Sequence, residues 1–376
     1  MTTPRPYGSP DDRRSDRLTG TADPSADAVV CRAVRVGYGG PPVVVDLDLT
    51  VRRDEVVALL GPSGSGKTTL LAAIAGFIPL EGGEIRIDGV IVAGGGHHVP
   101  PERRGVAVVF QSAALWPHLD ALDTVAYPMR RRGIGRDDAR RAAGGLLDRL
   151  GIGALANRRP AELSGGEQQR VGLGRALARE ASVLLFDEPT AHLDPDLRSR
   201  LQDEIATERR RTAAAAIYAT HDPGEALAVA DRVALLRAGR LVQLGTPDAV
   251  YDRPIDVWAA RLTGPASVIP VTVLERGPHL ARLVVGGAQM DVRVDGPEGA
   301  AWALIRPEWA RLGGDLPGRV VGVAYRGGQT DYTLQTPAGQ VGVSEAGGPT
   351  VDRGAAPGWR LDRIWLVEQG DGPTRT

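Results

Sequence analysis

Four short runs are apolar at every position: Val56-Val57-Ala58-Leu59-Leu60, Val106-Ala107-Val108-Val109-Phe110, Val183-Leu184-Leu185-Phe186 and Ala214-Ala215-Ala216-Ile217-Tyr218-Ala219. Runs this short, with no polar alternation, predict strands buried on both faces, as in a parallel sheet covered by helices. Before them, Ala28-Val29-Val30 through Val34-Arg35-Val36 alternates as a half-buried strand does. The segment from about 112 to 160 carries Leu146, Leu147 and Leu150 at helical spacing and a basic stretch from Arg130 to Arg141. It predicts a helical subdomain inserted in an α/β core, with the basic stretch a solvated helix face. Further helices are predicted from Lys67 to about Phe77 and from Ser164 to about Arg179. After Leu241-Val242-Gln243-Leu244-Gly245, a helical segment bearing Asp and Pro reaches about Thr263.

Beyond that point the period changes to short strands with glycine turns: Val268 to Leu274, Ala281 to Val285, Val320 to Val323 and Tyr332 to Gln335. This spacing predicts a small all-β barrel. Residues 1–27 are rich in Pro, Ser, Thr, Asp and Arg with almost no apolar content, and predict a disordered leader. The expected division is therefore a leader over 1–27, an α/β domain over 28–262 and a β domain over 263–376.

Composition narrows the function classes. A net charge of -1 and 4% aromatic residues give no support to a nucleic-acid binder or a stacking platform for single strands. The one cysteine, Cys31, has no internal disulfide partner, which fits a reducing compartment. No apolar run approaches the ~18 residues of a membrane span, and the N-terminus lacks the apolar core of a signal peptide. A cytosolic protein is expected, with any membrane role supplied through a partner.

Of the 45 basic Lys and Arg residues only Lys67 is lysine, and it lies in Gly61-Pro62-Ser63-Gly64-Ser65-Gly66-Lys67-Thr68. Arginine replaces lysine freely on a solvated face, but not where a compact point charge must reach between phosphate oxygens. The stretch fits a phosphate-binding loop, whose backbone N–H groups wrap a polyphosphate while the lysine reaches its end and the threonine hydroxyl binds Mg²⁺. Thr69 continues the loop into its helix, whose N-terminal dipole also faces the phosphates. In parallel sheets ligands bind outside the carboxyl ends of the strands. There Gln111 follows the second run, Asp187 and Glu188 the third, and His221 the fourth.

These polar ends suit nucleotide hydrolysis. Asp187 is placed to anchor Mg²⁺, and Glu188 to position or deprotonate the attacking water. Gln111 can offer its amide oxygen to Mg²⁺ or water, and His221 can donate to the terminal phosphate. Two readings fit Tyr38 in its glycine turn: packing on its neighbours, or stacking on an adenine. Two also fit Ser164-Gly165-Gly166-Glu167. Ser164 and Glu167 have capping-box spacing, while bare glycines at a helix N-terminus allow close approach of an anion.

Together the motifs resemble the nucleotide-binding subunit of an ATP-binding cassette (ABC) transporter. Tyr38 matches the A-loop, Gly61–Thr68 the Walker A loop, Gln111 the Q-loop and Leu163–Arg170 the signature. Val183–Glu188 matches the Walker B strand, Ala191–Asp194 the D-loop and His221 the switch histidine, all in family order. The resemblance implies a P-loop NTPase core with a RecA-like sheet and inserted helical subdomain, and ATP and Mg²⁺ as ligands. It implies two copies closing head to tail, so that Ser164 and its glycines meet the phosphate held by the partner's Lys67. Asp54, Glu167 and His192 depart from the common family residues without removing a catalytic group. Leu304-Ile305-Arg306-Pro307-Glu308 and Tyr325-Arg326-Gly327-Gly328 resemble the TOBE domain, an OB-like module carried by many importer ATPases. Leu115–Leu119 through Val125–Tyr127 resembles the surface that receives a membrane subunit.

The implied function is ATP hydrolysis that energises solute import, peripheral on the inner face of the cell membrane, with a separate permease and, indirectly, an extracytoplasmic solute-binding protein. Val99–Gly105 and Trp116–Leu119 lean towards ferric iron. Polyamine, thiamine, molybdate or sugar import are alternatives, and a soluble ABC ATPase uncoupled from transport is a different class. His97 and His98, in a glycine-rich loop, are expected to be solvated.

Overall fold

The computed structural model describes residues 27–110, 112–190, 198, 207, 213–278, 280–299 and 301–367. The expected leader, Gln111 and Ala191–Asp194 therefore lie outside the described residues, apart from Asp27 at the leader's end. Strand β1 (Asp27–Val36) pairs antiparallel with β2 (Val44–Arg52), and β3 (Val56–Leu60) runs directly into the phosphate loop. Helix α1 (Lys67–Ala75) follows, then β4 (Gly82–Ile87), β5 (Val90–Gly94), the short β6 (His97–His98) and β7 (Val106–Val109). Next come α2 (Ala121–Arg131), α3 (Arg136–Arg149), α4 (Gly165–Leu177) and β8 (Val183–Asp187). The core ends with β9 (Ala215–Thr220), α5 (Pro223–Val229), β10 (Arg232–Arg237), β11 (Arg240–Gly245), α6 (Pro247–Asp252) and α7 (Val257–Thr263).

The four apolar runs do form parallel neighbours. The central sheet has the order β11-β10-β3-β9-β8-β7, with β11 antiparallel at one edge. Every residue of β3, β8 and β9 is buried, because the two faces meet different cores. Leu185 and Ile217 pack with Leu70 and Ile74 of α1 and with the antiparallel sheet β2-β1-β4-β5-β6. Leu184, Phe186 and Tyr218 face the other way, onto Val125 of α2, Leu147 of α3 and Val171 of α4. Each large side chain buried this way contributes roughly 1.5–3 kcal/mol, which is why adjacent positions cannot be polar.

The helical segment is inserted between β7 and β8 as expected. Its basic stretch is a solvated face as expected, Arg130, Arg131, Arg132, Arg136 and Arg141 being exposed; Arg140 alone is half-buried, paired with Asp123. The predicted helices stop slightly early, α1 at a left-handed Gly76 and α4 at Leu177. Cys31 is buried in the core, its thiol pushed up to about 12 by burial and then by Asp48. His97 and His98 are exposed, and among the described residues no group of three or more metal-ligating side chains gathers. No helix among the described residues is long and apolar enough to cross a membrane.

The C-terminal part is strand-rich: β12 (Ser267–Pro270), β13 (Thr272–Arg276), β14 (Leu280–Val285), β15 (Ala288–Asp295), β16 (Trp302–Ile305) and β17 (Ala310–Leu316), then β18 (Arg319–Tyr325), β19 (Gln329–Thr336), β20 (Gly339–Ala346), β21 (Trp359–Leu361) and β22 (Arg363–Val367). Val268–Leu274 is two strands, not the single one expected. The chain breaks after Pro270, where Val271 N–H turns to Ala301 O at 3.0 Å. The break has a topological reason. In the sheet β12-β16-β22-β15-β14-β13, consecutive strands β12 and β13 occupy opposite edges. One residue, Val271, spans those edges, so the sheet must curl on itself, as an OB-like barrel does.

Candidate active site

The phosphate loop leaves β3 and turns into α1 through Gly66, which has φ 101° and serves as the N-cap. A Cβ there would lie 3.2 Å from Val43 O, so glycine meets both the left-handed backbone and the close approach of β2. Lys67 is buried, and its Nζ donates to Gly61 O at 2.7 Å and Pro62 O at 3.2 Å. Burial lowers the ammonium's pKa, while Glu188 and Asp187 oppose that shift. Ser65 Oγ is buried without a hydrogen-bond partner among the described residues. An orphan hydroxyl, an ammonium held by loop carbonyls and a helix N-terminus together make a site ready for an anion.

Asp187 ends β8 beside this loop, and its Oδ1 accepts from Thr68 Oγ1 at 3.1 Å. Burial raises its pKa and Glu188 adds to the rise, while the Thr68 bond and Lys67 counter it. Such a carboxylate is short of positive charge. The oxygen pair Thr68–Asp187 is of the hard-donor kind that Mg²⁺ takes, alongside water and phosphate oxygens.

Glu188 follows with φ 46°, an uncommon left-handed backbone for a non-glycine residue. Its N–H is tied to Ala219 O at 2.9 Å, and its Oε1 lies 3.0 Å from His221 Nδ1. The parallel register of β8 and β9, with Asp187 opposite Ala219, brings these two strand exits together. Tyr38 OH reaches Thr69 Oγ1 at 3.4 Å while 66% of the residue stays exposed, which leaves its ring open to stacking.

At the start of α4 both halves of the capping box form. Ser164 Oγ accepts from Glu167 N–H, and Glu167 Oε2 accepts from Ser164 N–H at 2.7 Å. These bonds hold the Glu167 carboxyl below its usual range, the backbone bond foremost. A Cβ at Gly165 would meet nothing within 4 Å, so no neighbour among the described residues requires glycine there. A cavity of about 630 Å³ opens between this helix end, Asp187, Phe110 and Ser112–Leu115. Asp54 has φ 54°, a left-handed backbone that a short polar residue tolerates.

Four arginines have structural roles that the sequence reading did not assign to them. Arg104 is buried and donates to Ala73 O and Ile74 O, capping the end of α1. Its place in Val99–Gly105 is thus explained by packing. Arg175 of α4 donates to Ala114 O at 2.6 Å and Ala113 O at 3.0 Å, with its guanidinium 5.2 Å from the Trp116 ring. Trp116 in turn lies 4.8 Å from Tyr127, which is exposed. Arg198 pairs with Asp222, and Arg306 is wholly enclosed beneath the barrel.

Residues 44–191 match the ABC transporter family, and residues 303–363 match the TOBE domain. Tyr38 and His221 lie outside both spans, so their placement rests on the geometry above. The Fe(3+) ions import ATP-binding protein FbpC of Agrobacterium fabrum is 40% identical over 317 residues, which is 83% of this chain and 89% of that protein. The spermidine/putrescine import ATP-binding protein PotA of Acidothermus cellulolyticus is 41% identical over 333 residues, 85% of each chain. Among solved structures, a dimeric ATP-binding cassette in a post-hydrolysis state bound to ADP and Pi aligns with a TM-score of 0.54 and 27% identity, over 58% of this chain and 98% of that one. Identity sustained from the phosphate loop into the barrel goes beyond a shared fold: the chain belongs to the family of ABC transporter ATP-binding proteins.

Proposed function

We propose that this chain is the ATP-hydrolysing subunit of an importer, with ferric iron the favoured solute, and that its hydrolysis site lies at the exits of β3, β8 and β9. The observation carrying the site is the contact of Glu188 with His221 across two strand ends, beside the Thr68–Asp187 pair. Glu188 takes a proton from the attacking water as its oxygen bonds to the γ-phosphorus. The bond from that phosphorus to the β–γ bridging oxygen breaks, and ADP leaves with the electron pair. Lys67 offsets phosphate charge, and a protonated His221 ring can donate to Glu188 and a phosphate oxygen at once. Thr68 and Asp187, with Gln111, would hold Mg²⁺, which when bound neutralises developing phosphate charge. Tyr38 stacks on the adenine, and residues 61–69 cradle the phosphates.

The open face at Gly165 supports completion of each site by a second copy, through Ser164, Gly165, Gly166 and Glu167. The Trp116–Tyr127 pair, with Tyr127 exposed, supports docking to a permease, which would place the chain on the inner face of the membrane, served by an extracytoplasmic binding protein. Residues 28–262 form the cassette and 263–376 the regulatory or dimerising barrel. Identity does not separate the solutes, since the relatives named for Fe(3+) are 39–40% identical and those named for spermidine/putrescine 38–41%; ferric iron is favoured on the Val99–Gly105 and Trp116–Leu119 stretches, with polyamines the second reading. Deleting the gene and following uptake of radiolabelled ferric iron and of putrescine tests this. Loss of iron uptake alone is expected, and loss of putrescine uptake with iron intact would overturn it.

A further inference from the structure

Behind Glu188 and His221 lies a second carboxylate, Glu225 of α5, only 6% exposed. Its Oε2 accepts from Thr220 Oγ1 at 2.9 Å and from Tyr218 OH at 3.3 Å. Its Oε1 accepts from Thr190 Oγ1, and Arg198 Nε stands 3.4 Å away. Arg198 also donates to Asp222 Oδ2 at 3.2 Å, and Asp222 caps α5 through Gly224 N–H and Glu225 N–H. A carboxylate survives burial only when paired and hydrogen-bonded, and here three hydroxyls and a guanidinium do both.

The donors sit where they bear on the chemistry. Thr190 is two residues beyond Glu188, and Thr220 directly precedes His221. A small pocket of about 60 Å³ is lined by Glu188, His221, Thr190, Thr220, Arg198 and Glu225, so the network is the floor beneath the catalytic pair. An apolar side chain of the same volume would fill that floor but could not grip both strand exits.

We infer that Glu225 is a positioning residue for hydrolysis: its buried carboxylate locks the exits of β8 and β9 together, so that Glu188 and His221 meet in register. This rests on the assignment of Glu188 and His221 to the hydrolysis site. Misplacing a reacting group by about 1 Å can cost ~100-fold in rate. Releasing Thr190 and Thr220 would therefore slow the chemical step and leave ATP binding, made by phosphate-loop side chains that take no part in these hydrogen bonds, intact.

The test uses the purified full-length chain, with steady-state ATPase kinetics and thermal melting for Glu225→Ala, Glu225→Gln, Glu188→Gln and Leu334→Ala. Glu225→Ala is expected to lower kcat roughly 10- to 100-fold with KM for ATP within about twofold. Glu225→Gln keeps the shape and one acceptor oxygen, so its kcat falls between that variant and the native protein. Leu334→Ala, in the barrel core, lowers Tm without changing kcat, which separates positioning from plain loss of stability. A Glu225→Ala kcat within about twofold of native, or a loss seen equally in Leu334→Ala, overturns the inference. If the alanine variant does not fold, Glu225→Gln decides: a loss of about threefold or more at unchanged KM upholds the inference, and no loss overturns it. Rapid hydrolysis by Glu188→Gln would instead sink the site assignment itself. Slow Glu188→Gln with normal Glu225 variants would sink only this inference.

Discussion

Glu188 Oε1 lies 3.0 Å from His221 Nδ1, and the backbone pays for that contact with a left-handed turn at Glu188, φ 46°. Asp187 ends β8 pointing at Thr68, so the next residue must swing outward for its carboxylate to reach the neighbouring strand exit. Strain of this kind costs of order 1–3 kcal/mol and persists only where the surroundings over-determine it. Here the Glu188 N–H to Ala219 O bond and the parallel register do so.

Replacing Glu188 by Gln keeps this geometry and removes the base. The variant should bind ATP, hydrolyse it at least about 100-fold more slowly and accumulate as a closed dimer. Turnover assays and size-exclusion chromatography with ATP check both points. A monomer with unchanged turnover would refute the assignment.

Lys67→Arg matches the chain's own preference for arginine, yet it should lose most activity. Lys67 Nζ sits between Gly61 O and Pro62 O, in a buried space cut for a point charge on a narrow stem. A planar guanidinium has a different fork and a larger head. The expected fall in kcat/KM for ATP is roughly 100-fold or more. Near-native hydrolysis would show that the solitary lysine is only a compositional accident.

Much of this site was legible because strands buried on both faces leave no polar residue until they end, so Asp187, Glu188 and His221 stand out after unbroken apolar runs. The same logic failed for the arginines. With one lysine among 45 basic residues, a buried Arg104 or Arg306 is written in the same letter as a solvated one. Glu225 was hidden differently: as an acidic residue in the first turn of α5, it reads as an ordinary N-terminal helix residue. The break at Val271 was masked because apolar alternation runs straight through it, and only the edge-to-edge topology reveals it.

Cys31 offers a stability test with a definite sign. Its folded pKa, about 12, lies above the ordinary 9.0 because burial and Asp48 both disfavour the thiolate. The stability this thiol supports is fully present below pH 9.0 and is lost as pH rises towards 12. Each pH unit in that window should cost about 1.4 kcal/mol relative to Cys31→Ala, which has no thiol to ionise. At neutral pH the order reverses, the alanine variant being weaker by about 1 kcal/mol for the space it leaves. Urea denaturation of both proteins from pH 7 to pH 10.5, about 1.5 units into the window, would reveal the crossover. Parallel curves would show that Cys31 ionises in the folded state as it does in the unfolded one.

Arg306 joins the barrel to the cassette, and its removal should cost more than that of any surface arginine. The residue is fully buried. Its guanidinium donates to Tyr251 O at 2.7 Å, Ala260 O at 2.9 Å, Thr263 Oγ1 at 2.9 Å, and Gly264 O and Pro265 O at 3.1 Å. Its carbon centre also lies 3.9 Å from the Tyr251 ring. These acceptors are the ends of α6 and α7, so one side chain from the barrel satisfies carbonyls that the helices leave open. Arg306→Met fills similar volume and donates nothing. Each carbonyl left buried and unpaired costs about 1–3 kcal/mol, so a loss of at least roughly 3 kcal/mol is expected. Arg306→Lys should recover less than half of it, since three donors on one nitrogen cannot span acceptors spread around a planar fork. Denaturation midpoints measure the loss, and limited proteolysis should show new cleavage near Gly264–Pro265 in both variants. An unchanged midpoint with no new cleavage would mean that the apolar contacts of Val257 and Ala260 with the barrel core hold the two parts together without Arg306.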